Sequence, residues 1–207
     1  HISGKAALLA LSMVTASAFA SHWGYEGKES PEHWGELDEA YKTCQKGMNQ
    51  SPINIDSTLD AHLSPLQTHY IDGPVTLTNN GHTIQASEPA DTRDTITLDK
   101  QTWTLQQFHF HSPSENTVHG KKYAMEMHLV HKNAAGELTV VAVMFDKGAA
   151  NPELEKLWSV MPQLAEQNVS IKGDLNLNTL LPEDKTYFRF SGSLTTPPCS
   201  EGVTWIV

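Results

Sequence analysis

Three histidines in two short runs are the residues of this chain best placed to do chemistry. Gln107-Phe108-His109-Phe110-His111 and Tyr123-Ala124-Met125-Glu126-Met127-His128-Leu129-Val130-His131 both read with the period of a β-strand. Successive strand side chains point to opposite faces, so His109 and His111 share one face while Phe108 and Phe110 share the other. In the second run Glu126, His128 and Val130 share a face and His131 points away. If the two strands pair, His128 brings a third imidazole to the same point. Three neutral imidazoles with a fourth position left to water is the arrangement of a catalytic zinc rather than a structural one. Glu126, two residues before His128, stands where it can accept the second ring N–H and fix the tautomer. Solvent-facing polar residues alternate in the same way, so the spacing alone leaves an ordinary polar strand face open beside the metal site.

The elements that must position these residues read mostly as short strands with polar turns: Val75 to Thr78, Thr83 to Ala86, Thr95 to Leu98, Trp103 to His111, Ala124 to His131, Leu138 to Phe145 and Val203 to Val207. Asn80-Gly81 predicts a type I′ hairpin turn. Leu138 to Phe145 is almost continuously apolar, as expected of a central strand buried on both faces. One helix stands out, with Asn151 as cap, Pro152 at the first position and Leu154, Leu157, Trp158 and Met161 at helical spacing, until Pro162 ends or kinks it. No repeat, low-complexity stretch or linker marks a second domain.

The formal net charge is −10, and the Lys and Arg residues are scattered, which argues against nucleic acid or an anionic membrane as partner. Residues 1–20 read as a secretory signal: Lys5, the apolar run Ala6 to Val14, then Ala18-Phe19-Ala20 as a cleavage site. That run is too short for a bilayer, which needs about 20 apolar residues. Cys44 and Cys199 are the only cysteines, and an exported chain carries them into an oxidising compartment, so a disulfide is expected rather than two free thiols.

Six ordered blocks decide what kind of protein this is similar to. His22-Trp23-Gly24-Tyr25, Asn49-Gln50-Ser51-Pro52-Ile53-Asn54-Ile55, Asn79-Asn80-Gly81-His82, Gln107 to His111, Glu126 to His131 and Gly192-Ser193-Leu194-Thr195-Thr196-Pro197-Pro198 resemble the α-class carbonic anhydrases, most closely their bacterial secreted or periplasmic members. The resemblance implies an α+β fold dominated by a twisted, mainly antiparallel sheet of about ten strands, at the upper end for an open sheet, with short surface helices. Residues 21–207 would form that single domain. Since the family continues beyond the strand Val203 to Val207, the chain reads as C-terminally truncated.

The resemblance also implies the chemistry: reversible hydration of carbon dioxide to bicarbonate and a proton by a zinc-bound hydroxide. Zinc held by His109, His111 and His128 brings the acidity of a bound water to near neutrality, an effect for which carbonic anhydrases are the standard example. By matching position, Thr195 accepts the hydrogen bond of that hydroxide and donates to Glu115, while Gln107 and Glu126 support the ligands. Val130, Val140, Leu194, Thr196, Val203 and Trp205 match the pocket that receives carbon dioxide. His82 matches the proton shuttle, an imidazole that both accepts and releases a proton near neutral pH. Tyr25, Asn80 and Gln85, the last in place of the usual asparagine, would order the waters between. Cys44 and Cys199 match a bridge of secreted relatives, and Ser51-Pro52 and Pro197-Pro198 match cis peptides. His22, His33, His62, His69, His119 and His131 read as structural or surface residues. Two departures bear on the site: Ser112 stands where many members have tryptophan, and Asn116 replaces a histidine beside Glu115. Neither removes a ligand or Thr195 and Glu115, and both could loosen support of the ligands or of Glu115.

The expected partner is therefore a small molecule, carbon dioxide or bicarbonate, with no nucleic acid and no membrane span after removal of the leader. Oligomeric state is left open, with a homodimer among the options. Two other classes compete: a non-catalytic binding module on the same scaffold, which the intact His109, His111, His128, Thr195 and Glu115 disfavour, and a zinc carrier. The carrier would need clustered exposed histidines, whereas these alternate with core residues.

Overall fold

The computed structural model describes residues 21–207, and the expected leader at 1–20 lies outside them. In chain order the strands are β1 (Asn54–Ile55), β2 (Gln67–His69), β3 (Thr76–Asn79), β4 (Ile84–Ser87), β5 (Thr95–Leu98), β6 (Gln101–His111), β7 (Thr117–Val118), β8 (Lys121–Lys122), β9 (Met125–Lys132), β10 (Leu138–Phe145), β11 (Asn168–Ser170), β12 (Arg189–Ser193) and β13 (Glu201–Ile206). Ten of them form one sheet in the order β11-β3-β4-β6-β9-β10-β13-β12, with β5 paired to the first residues of β6, Gln101 to Thr104, and β2 beyond it. Pairing is antiparallel except between β10 and β13. β1, β7 and β8 make a separate small sheet. The fold is the expected one, mostly strand with a few short helices.

The two runs that carry the histidines are neighbours at the middle of this sheet. β6 and β9 pair antiparallel with His109 opposite His128 and His111 opposite Glu126. A bulge between Leu105 and Gln107 interrupts the ladder, and Gln106 there is exposed. The bulge resets the alternation. Leu105 and Phe108, three residues apart, both enter the main core with Met127, Leu129, Val141, Val143 and Ile206, and Gln107, His109 and His111 are left on the other face. β10 is buried from Thr139 to Val143, with β9 on one side and β13 on the other, as its unbroken apolar run predicts.

The helix α3 (Pro152–Trp158), third after two short helices at Trp34–Leu37 (α1) and Thr43–Lys46 (α2), starts where expected. The Asn151 side chain accepts from the amides of Glu153 and Leu154, and Leu154 and Leu157 are its buried face. It ends at Trp158 rather than reaching Met161, because the residue before Pro162 is barred from helical geometry and the turn unwinds ahead of it. The Asn80-Gly81 turn also differs. β3 and β4 pair up to Asn79 and Ile84, leaving a four-residue loop in which only Gly81 has positive φ, so it is not type I′. Asn80 Oδ1 accepts from the amides of His82 and Thr83, and Asn79 Oδ1 from Gly81. These side-chain turns take over what a two-residue turn would have done.

Cys44 and Cys199 are bridged, and the peptides Ser51-Pro52 and Pro197-Pro198 are cis, as is Ser112-Pro113, which the sequence reading did not anticipate. The bridge closes a 155-residue separation, for which the chain-entropy model gives at most about 5 kcal/mol. It joins α2 to the loop between β12 and β13. That loop is also tied to the Asn49–Pro52 block. Gln50 Nε2 donates to the Cys199 carbonyl at 3.0 Å, the Asn49 amide donates to Glu201 at 2.9 Å, and Ser51 and Ser193 exchange amide-to-hydroxyl hydrogen bonds at 2.8 and 3.0 Å. Gly192 makes this approach possible, since a Cβ there would sit 2.1 Å from Ser51 Oγ.

Behind the sheet, Glu88 and Asp94 form a carboxyl pair with a measurable consequence. Thr92 Oγ1 donates to Glu88 at 2.9 Å and the Ile71 amide to Asp94 at 2.7 Å. Burial, reinforced by Asp94, pushes the Glu88 carboxyl up to about 7 from its ordinary 4.5. The folded chain thus holds a proton that the unfolded chain releases, so the contribution is full below pH 4.5 and is lost as pH rises towards about 7. Glu88→Gln should leave the melting temperature nearly unchanged at about pH 5 and raise it relative to the natural chain at about pH 8. Parallel melting curves at both pH values would show that the pair does not hold this proton.

Candidate metal centre

On the site face the sheet sets side chains in rows. Gln85, His109, His128 and Ala142 occupy one row across β4, β6, β9 and β10. His111 and Glu126 flank it on one side, and Gln107, Val130, Val140, Trp205 and Phe190 on the other. The register therefore places the three imidazoles together, and one ligand atom from each of His109, His111 and His128 lies within 4.8 Å of the others. Their ring centroids are 4.7 to 5.3 Å apart.

Each imidazole lies close to a polar neighbour. Gln107 Oε1 is 2.7 Å from His109 Nδ1, which turns His109 Nε2 toward the other rings. Glu126 Oε2 is 2.9 Å from His128 Nε2, close but oblique to the ring N–H direction, and His128 Nδ1 is left facing Glu115 Oε1 at 3.9 Å. His111 Nε2 is buried without a well-directed hydrogen bond, 3.2 Å from the same Glu115 oxygen. Burial, followed by the field of His128, holds His109 well below the ordinary histidine value and His111 down to about 4. Neutral rings with free nitrogens converging on one point are what a divalent cation requires. The donor set fits a metal.

Glu126 is fully buried. Burial alone would raise its carboxyl, and the adjacent His128 ring with the hydrogen bonds from Asn116 override this and leave it below the usual range. Its Oε1 accepts from the amides of Glu115 and Asn116 at 2.8 and 2.9 Å, and its Oε2 from Asn116 Nδ2 at 2.8 Å. Where the resemblance has a histidine, the Asn116 amide presents a donor and an acceptor, and both are used. Ser112 is exposed and donates to the Ala124 carbonyl at 2.9 Å. Burial pushes the Glu115 carboxyl up, while His128 and a hydrogen bond with Thr195 pull it down.

The apolar residues also come together. Val140, Ala142, Val203 and Trp205 form a second core cluster with Val130, Leu138, Phe190 and Leu194 packed on it, and the Trp205 indole stands edge-on to His128 at 5.0 Å. Thr195 and Thr196 are half-buried on the loop after β12.

At the rim, the His82 ring stacks on Trp23 at 3.6 Å and 6°. Trp23 is a residue the sequence reading passed over, though it lies in one of the six blocks. Burial and then the charge of His22 lower the His82 value. Tyr25 packs edge-on to Trp23 and Trp34, and burial together with the Glu115 charge pushes its phenol up to about 12. Asn80 Nδ2 reaches Gln85 Oε1 at 3.5 Å. His131 belongs to none of this: it is fully buried on the opposite face, bonded to Tyr70 Oη at 2.8 Å.

The profile of the family described as eukaryotic-type carbonic anhydrase matches residues 29–207. The chain belongs to the α-carbonic anhydrases. It is 72% identical to a carbonic anhydrase of Klebsiella pneumoniae, over 99% of this chain and 83% of the relative. Among solved structures it superposes with a TM-score of 0.87 on the α-carbonic anhydrase of Thermovibrio ammonificans, solved with the inhibitor sulfanilamide, at 48% identity over 90% of this chain and 83% of that one. The α-carbonic anhydrase of Photobacterium profundum gives a TM-score of 0.84 at 50% identity, over 90% and 83%. Carbon dioxide hydration is the general reaction of this family. The imidazole group described above is thus the candidate metal centre of a carbonic anhydrase, and no helix among the described residues is long and apolar enough to cross a membrane.

Proposed function

We propose that the chain hydrates carbon dioxide reversibly with a single zinc ion held by His109, His111 and His128, and that His82 exports the proton. The observation that carries the reading is the convergence of three imidazoles within 4.8 Å beside an apolar wall. Bound there, zinc supplies a Lewis acid that acidifies a water. The remaining work belongs to the chain. Gln107 and Glu126 hold the rings of His109 and His128. Thr195, beside Glu115, accepts from the attacking water, donates to that carboxylate and aims the lone pair. Val130, Val140, Leu194, Thr196, Val203 and Trp205 receive a small linear substrate that offers few groups to hydrogen-bond. Tyr25, Asn80 and Gln85 order waters toward His82. The Cys44–Cys199 bridge supports a periplasmic or secreted setting. The deciding experiment is to remove metal with a chelator and restore it with zinc. Hydration should vanish and return in proportion to bound zinc, and hydration that survives metal removal would defeat the proposal.

The shuttle has a separate signature. Proton export follows attack on carbon dioxide, so His82→Ala should lower kcat by up to about 10²-fold and leave kcat/KM nearly unchanged, with partial rescue by added imidazole. An equal fall in both parameters would make His82 a structural partner of Trp23 only.

A further inference from the structure

We infer that Asn116 is a positioning residue for the metal centre, holding the Glu126 oxygen beneath His128 and tying that ligand to the segment that clamps the Thr195 loop. Asn116 is fully buried and both ends of its amide are engaged. Nδ2 donates to Glu126 Oε2 at 2.8 Å, and Oδ1 accepts from the Ile53 amide at 2.9 Å. Glu126 Oε2 is the oxygen that lies 2.9 Å from His128 Nε2. The other two donors to Glu126 are backbone amides and reach Oε1. Asn116 Nδ2 is thus the side-chain donor on the oxygen that faces the ligand. Without it Oε1 stays held by the two amides while Oε2 loses its side-chain donor, so the carboxylate can tilt about that anchor and its contact with His128 is no longer fixed.

The second half of the link runs through Ile53. Its amide donates to Asn116, its carbonyl accepts from the Thr117 amide at 3.0 Å, and it follows the Asn49–Pro52 block that grips Ser193, Cys199 and Glu201. One amide therefore spans from the support of a ligand to the support of the catalytic loop. An amide suits this place because it presents a donor and an acceptor together without a charge, beside a carboxylate already buried. His109 is outside the link, since its orienting contact is Gln107.

The inference rests on the proposed zinc site, and the test separates the two. Zinc release to a chelator and the visible spectrum of the cobalt-substituted protein are measured for the natural chain, Asn116→Asp, Asn116→Ala and Asn116→His. Asp keeps the acceptor for Ile53 and sets a carboxylate against Glu126. Ala removes both partners, and His offers a ring N–H in place of the amide donor. Zinc release should accelerate about 10- to 100-fold in Asp and Ala, the usual effect of losing an outer-shell partner, with an altered cobalt spectrum. Asn116→His should restore both. A natural chain that holds no zinc would overturn the metal reading itself. A natural chain that holds zinc, with a folded Asp or Ala variant that releases it no faster and shows an unchanged spectrum, would overturn this inference alone. Failure of both variants to fold would overturn it as well, by making Asn116 a determinant of folding rather than of ligand position.

Discussion

His128→Ala is expected to abolish zinc binding and carbon dioxide hydration together, and to destabilise the protein more than His109→Ala does. The first effect follows from the donor set: two imidazoles remain of three, a loss larger than the roughly 10- to 100-fold typical of removing an outer partner. The second follows from what each ring leaves behind. Removing His109 frees Gln107, which is neutral and half-buried. Removing His128 leaves Glu126, fully buried, without the ring that helps hold its carboxyl low. Leaving a buried polar group short of a partner typically costs about 1–3 kcal/mol, and more when the group is charged. Metal analysis and denaturant titration of the two metal-free variants check both effects. Equal stabilities would mean that the Asn116 and backbone donors satisfy Glu126 alone, and full zinc occupancy in His128→Ala would remove it from the ligand set.

Thr195→Ala should keep zinc and lose rate, by roughly 10²- to 10³-fold, the range for deleting one positioned hydrogen-bonding group in a catalytic site. Thr195 does not belong to the imidazole group, so metal content should not change. Its hydrogen bond also pulls the Glu115 carboxyl down against burial, so its removal lets Glu115 rise further and protonate at higher pH. Thr195→Ser, which keeps the hydroxyl, should recover most of the rate. Unchanged turnover in Thr195→Ala would take the residue out of the mechanism.

The strands that carry the ligands were legible because their periodicity is local. His109 and His111 are two residues apart on one strand, and His128 lies on the next apolar run, so alternation alone puts them on faces that pairing can join. What decided the pairing was not local. The bulge at Gln106 has no signal in an unbroken Thr-Trp-Thr-Leu-Gln-Gln-Phe run, yet it brings Leu105 and Phe108 into one core. Strands β2, β11 and β12 are short and polar, so hydrophobic period could not find them, and the parallel pairing of β10 with β13 joins residues distant in sequence. The cap of α3 was readable from Asn151-Pro152, whereas its early end depended on Met161 standing before Pro162. Asn116 was hard to read for a similar reason. Type and position left a loosened support open, and only its two partners, Glu126 and Ile53, reveal an amide used at both ends.

The bridge between Cys44 and Cys199 implies an order of assembly. The imidazoles sit on adjacent strands of an antiparallel pair, so the pocket for the metal can form from contacts close in sequence, which assemble early. The loop bearing Thr195 is fastened to residues 155 positions away and can be secured only after both cysteines are present and an oxidant has closed the link. Oxidation thus falls on the loop that carries Thr195, the residue proposed to orient the attacking water. A chain kept in a thiol-rich compartment would have a formed metal pocket and an untied loop.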